Sequence, residues 1–301
     1  MKEKKKQKKL SLGYSPCPND TAIFYALVHG KVRVGGPLEL SFEEELEDVE
    51  ALNRKGLDGL LDVTKISFYA YCHMRDRYAL LRSGAALGKG CGPLLVGREP
   101  GNPEALFQKG RRIAIPGGLT TANLLFMLYG DSIGWRPNRD NIVPMLFSDI
   151  MPAVREGRAD AGLVIHEGRF TFENYGLHRL LDLGQWWEGV TGLPIPLGGI
   201  AAKRTLGEDT IRAVQSAIRD SIQYTIERPQ EAMRYIRQHA QEMEDSVINS
   251  HIGLYVNEHT VWLGEDAERA IEELFARAAR AGLAEGQGSK AKSSGNGLFI
   301  A

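Results

Sequence analysis

The chain has 301 residues and a mass of 33.3 kDa, enough for two domains of ordinary size. Its 37 basic and 38 acidic residues nearly cancel, which excludes a surface that coats nucleic acid through excess positive charge. No apolar run reaches the roughly 18–20 residues that cross a bilayer. The three cysteines lie far apart without a CxxC pair, so the sequence predicts neither a disulfide framework nor a structural zinc site.

Both ends of the chain have compositions typical of disordered tails. Residues 1–9 hold six lysines, and the apolar stretch behind them stops at Pro16, which is too short for a secretory signal. Residues 286–301 are rich in glycine, serine and lysine and predict a second flexible tail. We therefore expect a cytoplasmic protein with no membrane partner.

Short apolar strands alternate with helical stretches over the first two thirds of the chain, which predicts βαβ units and mainly parallel sheets. In chain order the predicted elements are a strand at 10–14, a helix at 20–29, a strand at 39–43, a helix at 49–57, strands at 59–63, 91–96 and 112–116, a helix at 121–129, a strand at 142–147, a helix at 150–156 and a strand at 161–165. A strand-like segment at 193–201 follows, and then only helices, at 208–227, 230–238, 245–256 and 266–281.

Two strand-like segments, 91–96 and 193–201, are candidate crossovers between two lobes. They predict one lobe from residues 10–92 and 197–285 and a second lobe from residues 93–196. A small-molecule ligand would then occupy the cleft between the lobes. The alternative is one continuous sheet without a cleft.

The segment 15–21 (SPCPNDT) joins the first strand to the first helix. Its prolines end the strand, and the helix start offers free backbone N–H groups. Ser15 and Asn19 are therefore candidate ligand contacts, although the segment also fits a plain strand–turn–helix connection. Cys17 lies beside them, but no base is near it in sequence, so a packing or lining role is favoured.

The segment 62–67 (DVTKIS) is predicted to end a strand and enter a helix. Thr64 and Ser67 can donate hydrogen bonds to a ligand, and Lys65 can neutralise an anion. A lysine in such a loop is also compatible with simple exposure to solvent.

The segment 116–122 (PGGLTTA) follows a buried strand and opens a helix. Gly118 permits close approach of the backbone to a ligand, and Thr120, Thr121 and Ala122 place N–H groups at the helix start, a natural site for a carboxylate. The segment lacks the spacing of a nucleotide P-loop or a dinucleotide fingerprint, which favours a small carboxylate over ATP or NAD.

The segment 160–169 (DAGLVIHEGR) contains a buried strand with His166 at its carboxyl end, where ligands bind in open α/β sheets. An imidazole can exchange a proton near neutral pH, and Glu167 and Arg169 can tune or orient it. A purely structural histidine is the alternative. No metal-ligand spacing such as HExxH occurs, so no metal site is predicted.

Together the segments 15–21, 62–67, 115–121 and 165–169 resemble, in order and spacing, the 1,4-dihydroxy-6-naphthoate synthases of the futalosine pathway to menaquinone. The resemblance extends over about residues 10–281. It implies an α/β, two-lobed fold like the type II periplasmic solute-binding proteins, with a ligand cleft and a helical C-terminal section. It also implies a carbon–carbon lyase that needs no cofactor and acts on cyclic dehypoxanthinyl futalosine.

Under this resemblance His166 is the catalytic general base or acid. The residues expected to bind substrate are Ser15, Asn19, Thr64, Lys65, Ser67, Gly118, Thr120, Thr121, Ala122, Glu167 and Arg169. The partner is the small-molecule substrate, with no nucleic acid, and the chain is a monomer or homodimer.

Three alternatives stay open. Chorismate dehydratase, of the same pathway, shares the fold, although the His-Glu-Gly-Arg sequence at 166–169 favours the naphthoate synthase. A solute-binding protein for a small carboxylate would have a similar cleft without chemistry. The sensor domain of a regulator would require a DNA-binding helix, and no basic recognition helix is evident.

Overall fold

The computed structural model describes residues 7–34, 39–107, 110–136, 140–240, 244–284 and 297–299. The tail predictions for residues 1–6, 286–296, 300 and 301 lie outside this part of the chain. The strands are β1 (Gln7–Tyr14), β2 (Glu39–Leu46), β3 (Val63–Ser67), β4 (Tyr78–Leu80), β5 (Ala86–Gly88), β6 (Leu94–Gly97), β7 (Ile113–Ile115), β8 (Ile142–Pro144), β9 (Ala161–Val164), β10 (His178–Asp182) and β11 (Ile195–Lys203).

The α-helices are α1 (Pro18–Val28), α2 (Val49–Leu57), α3 (Phe68–Tyr71), α4 (Thr121–Ser132), α5 (Phe147–Arg155), α6 (Gly168–Thr171), α7 (Leu183–Thr191), α8 (Glu208–Glu227), α9 (Pro229–His239), α10 (Asp245–Tyr255), α11 (Glu258–Val261) and α12 (Glu265–Arg280). Short 3₁₀ turns occupy Pro103–Leu106, Phe172–Tyr175 and Arg204–Leu206. None of the helices in the described ranges is long and apolar enough to cross a membrane.

The first sheet has the order β2-β1-β3-β11-β4, with β5 also paired to β11. The β2-β1-β3 part is parallel, whereas β11 runs antiparallel to β3, β4 and β5. Along β1, Leu10 and Leu12 point to one face and pack with Ile23 of α1 and Ile218 of α8. This alternation of side chains between the two faces is what the strand period of two requires.

The second sheet has the order β10-β6-β9-β7-β8. Its β9-β7-β8 part is parallel, and β6 runs antiparallel to β9 and β10. Leu94 and Ile150 of α5 belong to the core on one face, whereas Leu95 packs with Leu125 of α4 on the other. Helices on both faces explain why these strands are apolar throughout.

The chain leaves the first sheet at β6 and returns to it at β11. Two separate sheets show that the alternative of one continuous sheet is wrong. Both sheets are mixed rather than mainly parallel, because the two crossover strands enter antiparallel to their neighbours. The lobe boundaries near residues 93 and 196 stay a prediction.

Three local predictions need correction. The strand predicted at 59–63 is instead β3, because Gly59, with φ +68°, closes the turn after α2 and delays the strand. Lys8 and Lys9, assigned to a disordered tail, continue β1, and Lys9 Nζ lies 3.0 Å from Glu43 of β2. The end segment 297–299 is also ordered against β4, where Leu80 N donates to Leu298 O at 3.1 Å.

The C-terminal helices cover the first sheet. Helices α8, α9 and α10 pack against α1, and α12 packs against β11. The Ser221 hydroxyl of α8 donates to Ile23 O at 2.7 Å and accepts from Leu27 N at 3.0 Å, so even the polar group in this interface is paired. These helices therefore fix the position of α1, whose N-terminus faces the site described below.

We expect Gly92→Ala to lower the free energy of unfolding by about 1–3 kcal/mol, the usual cost of overpacking. A Cβ at Gly92 would lie 2.4 Å from the backbone N and Cα of Gly184, and backbone atoms cannot rotate away. Urea unfolding followed by circular dichroism measures the change.

Gly189→Ala is the matched control on the same helix as Gly184. It is exposed and meets nothing within 4 Å, so alanine there should stabilise α7 by roughly 0.5–1 kcal/mol. Equal stability of the two variants would contradict the close approach of residues 92 and 184.

Candidate functional site

A cavity of about 640 Å³, including its open mouth, lies where α1, β3 and β11 meet the start of α4 and the end of β9. It therefore takes walls from elements of both sheets. Of the residues predicted from the sequence, those that line it are Ser15, Asn19, Lys65, Ser67, Thr120, Thr121, Ala122 and His166.

Four predicted residues lie outside the lining. The Thr64 hydroxyl is buried and donates to Lys65 O at 3.0 Å, while Gly118 O accepts from an amide of α4. Arg169 donates to Gly92 O at 2.5 Å and to Asp182 at 2.7 Å, so its charge connects the end of β10 to the start of β6. Glu167 is buried directly behind His166.

A buried ion pair forms the cavity wall on the side of α1. Lys65 Nζ lies 2.8 Å from Asp20 Oδ1 and donates to Gly84 O at 3.1 Å. Asp20 Oδ2 accepts from the Ser15 hydroxyl at 2.7 Å and from Ser15 N at 3.2 Å. Both charged side chains are less than a tenth exposed, and these extra hydrogen bonds offset the cost of removing them from water.

The sequence predicted that Lys65 is either exposed to solvent or in contact with a bound anion. The structure shows a third arrangement, an ion pair within the protein. Its partner Asp20 stands 45 residues earlier in the chain, at the first turn of α1, so sequence proximity gives no sign of the pair. Lys65 still lines the cavity, and two acceptors among the described residues take two of its three hydrogens.

The N-terminus of α4 faces the cavity from the other sheet. Thr120 is the N-cap: its hydroxyl donates to Gly117 O at 2.9 Å and accepts from Asn123 N at 3.3 Å. The Thr121 hydroxyl donates to Leu197 O at 2.5 Å. The hydroxyls therefore hold the helix in place, and the backbone N–H groups of Thr121 and Ala122 are the groups that α4 itself leaves without partners.

Ser67, at the end of β3, is oriented by Asn53 of α2. Ser67 N donates to Asn53 Oδ1 at 2.8 Å, and the Asn53 amide donates to the Ser67 hydroxyl at 3.1 Å. The hydroxyl oxygen is thus an acceptor toward Asn53. Its own hydrogen remains available for a group bound in the cavity.

His166 occupies a strained turn just after β9. With φ +49°, it is the one non-glycine residue of positive φ in the part of the chain that the structure describes. This left-handed conformation costs about 1–2 kcal/mol for a residue with a side chain. The half-buried ring faces the cavity and lies 5.5 Å from the Phe147 ring.

Cys17 contacts His166 at the edge of the cavity lining, with Sγ 2.9 Å from Nδ1. Burial, and then the negative charge of Glu167, raise the pKa of the Cys17 thiol well above its usual value, so the group is a neutral S–H at physiological pH. A thiol can donate or accept a hydrogen bond, and both ring tautomers are therefore compatible with the contact. The sequence interpretation of Cys17 as a lining residue missed this contact, because 149 residues separate the pair.

His251 of α10 also reaches the site, and it was not among the residues predicted from the sequence. Its Nε2 donates to Asn19 Oδ1 at 2.8 Å, and its ring centroid lies 6.1 Å from that of His166. Complete burial, followed by electrostatic interaction with His166 and Lys65, lowers the pKa of His251 well below its usual value. The ring is neutral, its single proton is on Nε2, and Nδ1 is a bare acceptor.

Two acceptors behind His166 have no hydrogen-bond partner among the described residues: His251 Nδ1 and Glu167 Oε2. They lie 3.8 Å apart, and their side chains are 0% and 8% exposed. Glu167 is also close to Cys17 and His166, and potential ligand atoms of these three residues lie within 4.8 Å of one another. The structure thus assembles a group of metal-ligand types that sequence spacing did not predict.

A family model described as menaquinone biosynthesis matches residues 10–280 of this chain. A 1,4-dihydroxy-6-naphthoate synthase of Thermus thermophilus is 52% identical over 275 residues, which is 91% of this chain and 96% of that protein. An enzyme of the same name from Streptomyces coelicolor is 46% identical over 283 residues, 94% of this chain and 97% of that protein.

Solved structures with the same fold include a protein of Archaeoglobus fulgidus, which is 37% identical, with a TM-score of 0.81 over 91% of this chain and 98% of that one. The periplasmic aliphatic sulphonate binding protein of Escherichia coli has a TM-score of 0.63 at 12% identity, over 92% of this chain and 89% of that one. The second likeness shows the fold alone, and it confirms the predicted periplasmic-binding-protein-like architecture.

His251 is expected to destabilise the protein in acid. The unfolded chain protonates this histidine below pH 6.5, whereas the folded protein keeps it neutral to a much lower pH. The unfolded state then binds one more proton, so the free energy of unfolding falls by up to about 1.4 kcal/mol per pH unit as the pH drops below 6.5.

His251→Gln keeps an amide donor for Asn19 and removes the titration. Urea unfolding between pH 7 and pH 5 should show a shallower pH dependence in this variant than in the wild type. His178→Gln, at an exposed position of β10, is the control and should retain the wild-type slope. Identical slopes in all three proteins would refute the assignment of a buried neutral His251.

Proposed function

The chain belongs to the menaquinone biosynthesis family, and we propose that it is a 1,4-dihydroxy-6-naphthoate synthase, a lyase that cleaves a carbon–carbon bond of cyclic dehypoxanthinyl futalosine. The relatives of that name match nearly the whole chain. The observation that carries the proposal within the structure is the placement of His166, a proton-exchanging group held at the cavity by a strained turn.

His166 acts as the general base in the proposed reaction. With Nδ1–H donating to Cys17 Sγ, Nε2 has its lone pair free, and the described residues make no hydrogen bond to that nitrogen. A substrate carbon acid or hydroxyl placed against Nε2 can lose its proton there. The same nitrogen then carries the proton and can return it as the sugar-derived portion leaves and the fused ring aromatises.

The start of α4 and Ser67 stabilise negative charge on substrate oxygen. Backbone N–H groups of Thr121 and Ala122 point from the positive end of the helix dipole toward the cavity. The Ser67 hydroxyl adds a donor that Asn53 has already oriented. These donors are fixed before the substrate arrives, so they need no reorganisation as charge develops.

The wall formed by Ser15, Asn19 and Asp20 positions the polar groups of the sugar-derived portion. Each of these side chains is hydrogen-bonded to a neighbour and therefore has a defined orientation. Arg169 and Thr64 are assigned no contact with substrate, because their polar groups are bonded elsewhere in the protein. Every step of this mechanism uses side chains and backbone of the chain itself.

The partner of the chain in this proposal is the small-molecule substrate, with no nucleic acid. A cytoplasmic location fits a step of quinone biosynthesis. The choice between monomer and homodimer remains a prediction from the sequence.

His166→Asn is expected to lower kcat by at least about a hundredfold, since general base catalysis contributes roughly 10²–10⁴. Asparagine tolerates the left-handed backbone at this position better than alanine, so the variant separates loss of the base from loss of the fold. The assay mixes protein with cyclic dehypoxanthinyl futalosine and follows the naphthoate product by chromatography and absorbance.

His178→Asn, at an exposed site, serves as the control and should turn over like the wild type. A folded His166→Asn protein with wild-type turnover would remove the histidine from the mechanism. If the wild-type protein binds the futalosine substrate but forms no product, the chain is a solute-binding protein. If it turns over chorismate instead, the chain is the dehydratase.

Ser67→Ala should raise KM about tenfold, because a lost hydrogen bond of about 1.4 kcal/mol to an anionic group changes affinity by that factor. The kcat should fall as well, because the same donor also meets the negative charge that develops on substrate oxygen in the transition state. Ser250→Ala, on the exposed face of α10, is the control. An unchanged KM in a folded Ser67→Ala enzyme would contradict the assignment.

A further inference from the structure

Three side chains with metal-ligand donor atoms converge beside the cavity. Cys17 comes from the start of α1, His166 from the turn after β9, and Glu167 from the residue before α6. Their ligand atoms lie within 4.8 Å of one another. Thiolate, imidazole and carboxylate are the three ligand types that Zn²⁺ takes in proteins.

A second observation indicates that this cluster lacks a partner. Glu167 Oε2 is buried and accepts no hydrogen bond from the described residues, and neither does the adjacent His251 Nδ1. Two bare acceptors 3.8 Å apart repel each other in a region of low dielectric. A positive ion or a hydrogen-bond donor between or beside them would relieve that repulsion.

We infer that Cys17, His166 and Glu167 form a binding site for a borderline-soft divalent cation of the Zn²⁺ class, and that the bound cation inhibits the enzyme. The cation coordinates Cys17 Sγ, His166 Nδ1 and a carboxylate oxygen of Glu167, and leaves a fourth position for water. The Cys17 thiol loses its proton to solvent as the sulfur–metal bond forms.

The distances require only a small adjustment. A tetrahedral Zn²⁺ holds sulfur at about 2.3 Å and nitrogen at about 2.0–2.1 Å, which places these ligand atoms about 3.5 Å apart. Sγ and Nδ1 lie 2.9 Å apart, so rotation of Cys17 and His166 must open the pair by about 0.6 Å. The half-buried imidazole lines the cavity, which provides an entry path.

Inhibition follows from the tautomer of His166. A neutral imidazole that binds metal through Nδ1 carries its proton on Nε2. Nε2 then has no lone pair for a substrate proton, and the base is blocked. This inhibitory effect rests on the proposed function of His166, whereas the binding of the cation does not.

Co²⁺ is the probe for binding, since a cobalt–thiolate bond produces a charge-transfer absorption in the near ultraviolet that is independent of turnover. The wild-type protein should show this band, saturating at one Co²⁺ per chain, and Zn²⁺ should displace it. Cys17→Ser should lose the band, and Glu167→Gln should retain it with affinity at least tenfold weaker.

Cys72→Ser is the matched control, because Cys72 is also a free buried cysteine but lies outside the cluster. It should bind Co²⁺ like the wild type. No band in the wild-type protein, or a band that persists in Cys17→Ser, would overturn the inference, and a bridging water would then be the partner of the two acceptors.

Turnover measured during the same titration tests inhibition. Naphthoate production should fall in proportion to Zn²⁺ occupancy and return on addition of a chelator. Full activity at saturating Zn²⁺ would overturn the inhibitory role. A chain that binds Co²⁺ through Cys17 yet never acts on the futalosine substrate would instead refute the proposed function and leave the metal site standing.

Discussion

The buried ion pair between Lys65 and Asp20 is the constraint on which the cavity depends. Removing either charge would leave the other in a region of low dielectric, at a typical cost of about 3–5 kcal/mol. The pair joins β3 to α1 and also orients its neighbours, because Asp20 accepts from Ser15 and from the Asn19 amide. Because its amide nitrogen is bonded to Asp20, Asn19 contacts His251 through its oxygen, which can only accept a hydrogen bond. The His251 ring therefore carries its proton on Nε2 and leaves Nδ1 without one. One electrostatic contact thus determines the donor pattern of a whole wall.

The opposite wall is organised by backbone strain. The strand β9 ends at Val164, and the left-handed turn at His166 holds its ring against Cys17. Because Cys17 lies at the start of α1 and His166 follows a strand of the other sheet, their contact spans the two sheets. Relative movement of the two sheets would change this distance, as it would change the hydrogen bond from the Thr121 hydroxyl of α4 to Leu197 O of β11. The position of the His166 ring at the cavity therefore depends on how the two sheets pack together.

Local patterns in the sequence were sufficient to predict most of the helices and strands. Helix α8 was predicted with its observed bounds, since its apolar residues recur at helical spacing and a glycine precedes it. Five residues predicted on the segments 15–21 and 116–122 line the cavity, because helix starts after strands face the ligand cleft in α/β proteins. Contacts between distant segments were not predictable in this way. The pairing of Lys65 and the role of His251 depend on packing that no short segment encodes.

A periplasmic aliphatic sulphonate binding protein has the same fold, so the architecture does not determine the chemistry. A protein that only binds an anion gains affinity from positive side chains that face the ligand and are not paired with an acidic residue. Here Lys65 is paired within the protein, so the proposed anion site relies on partial charges at the start of α4. Full-strength binding of the substrate anion would stabilise ground state and transition state equally and would not accelerate the chemical step. In the proposed mechanism, this weaker attraction leaves the interaction energy for the transition state, in which His166, held in a strained turn, takes up the proton.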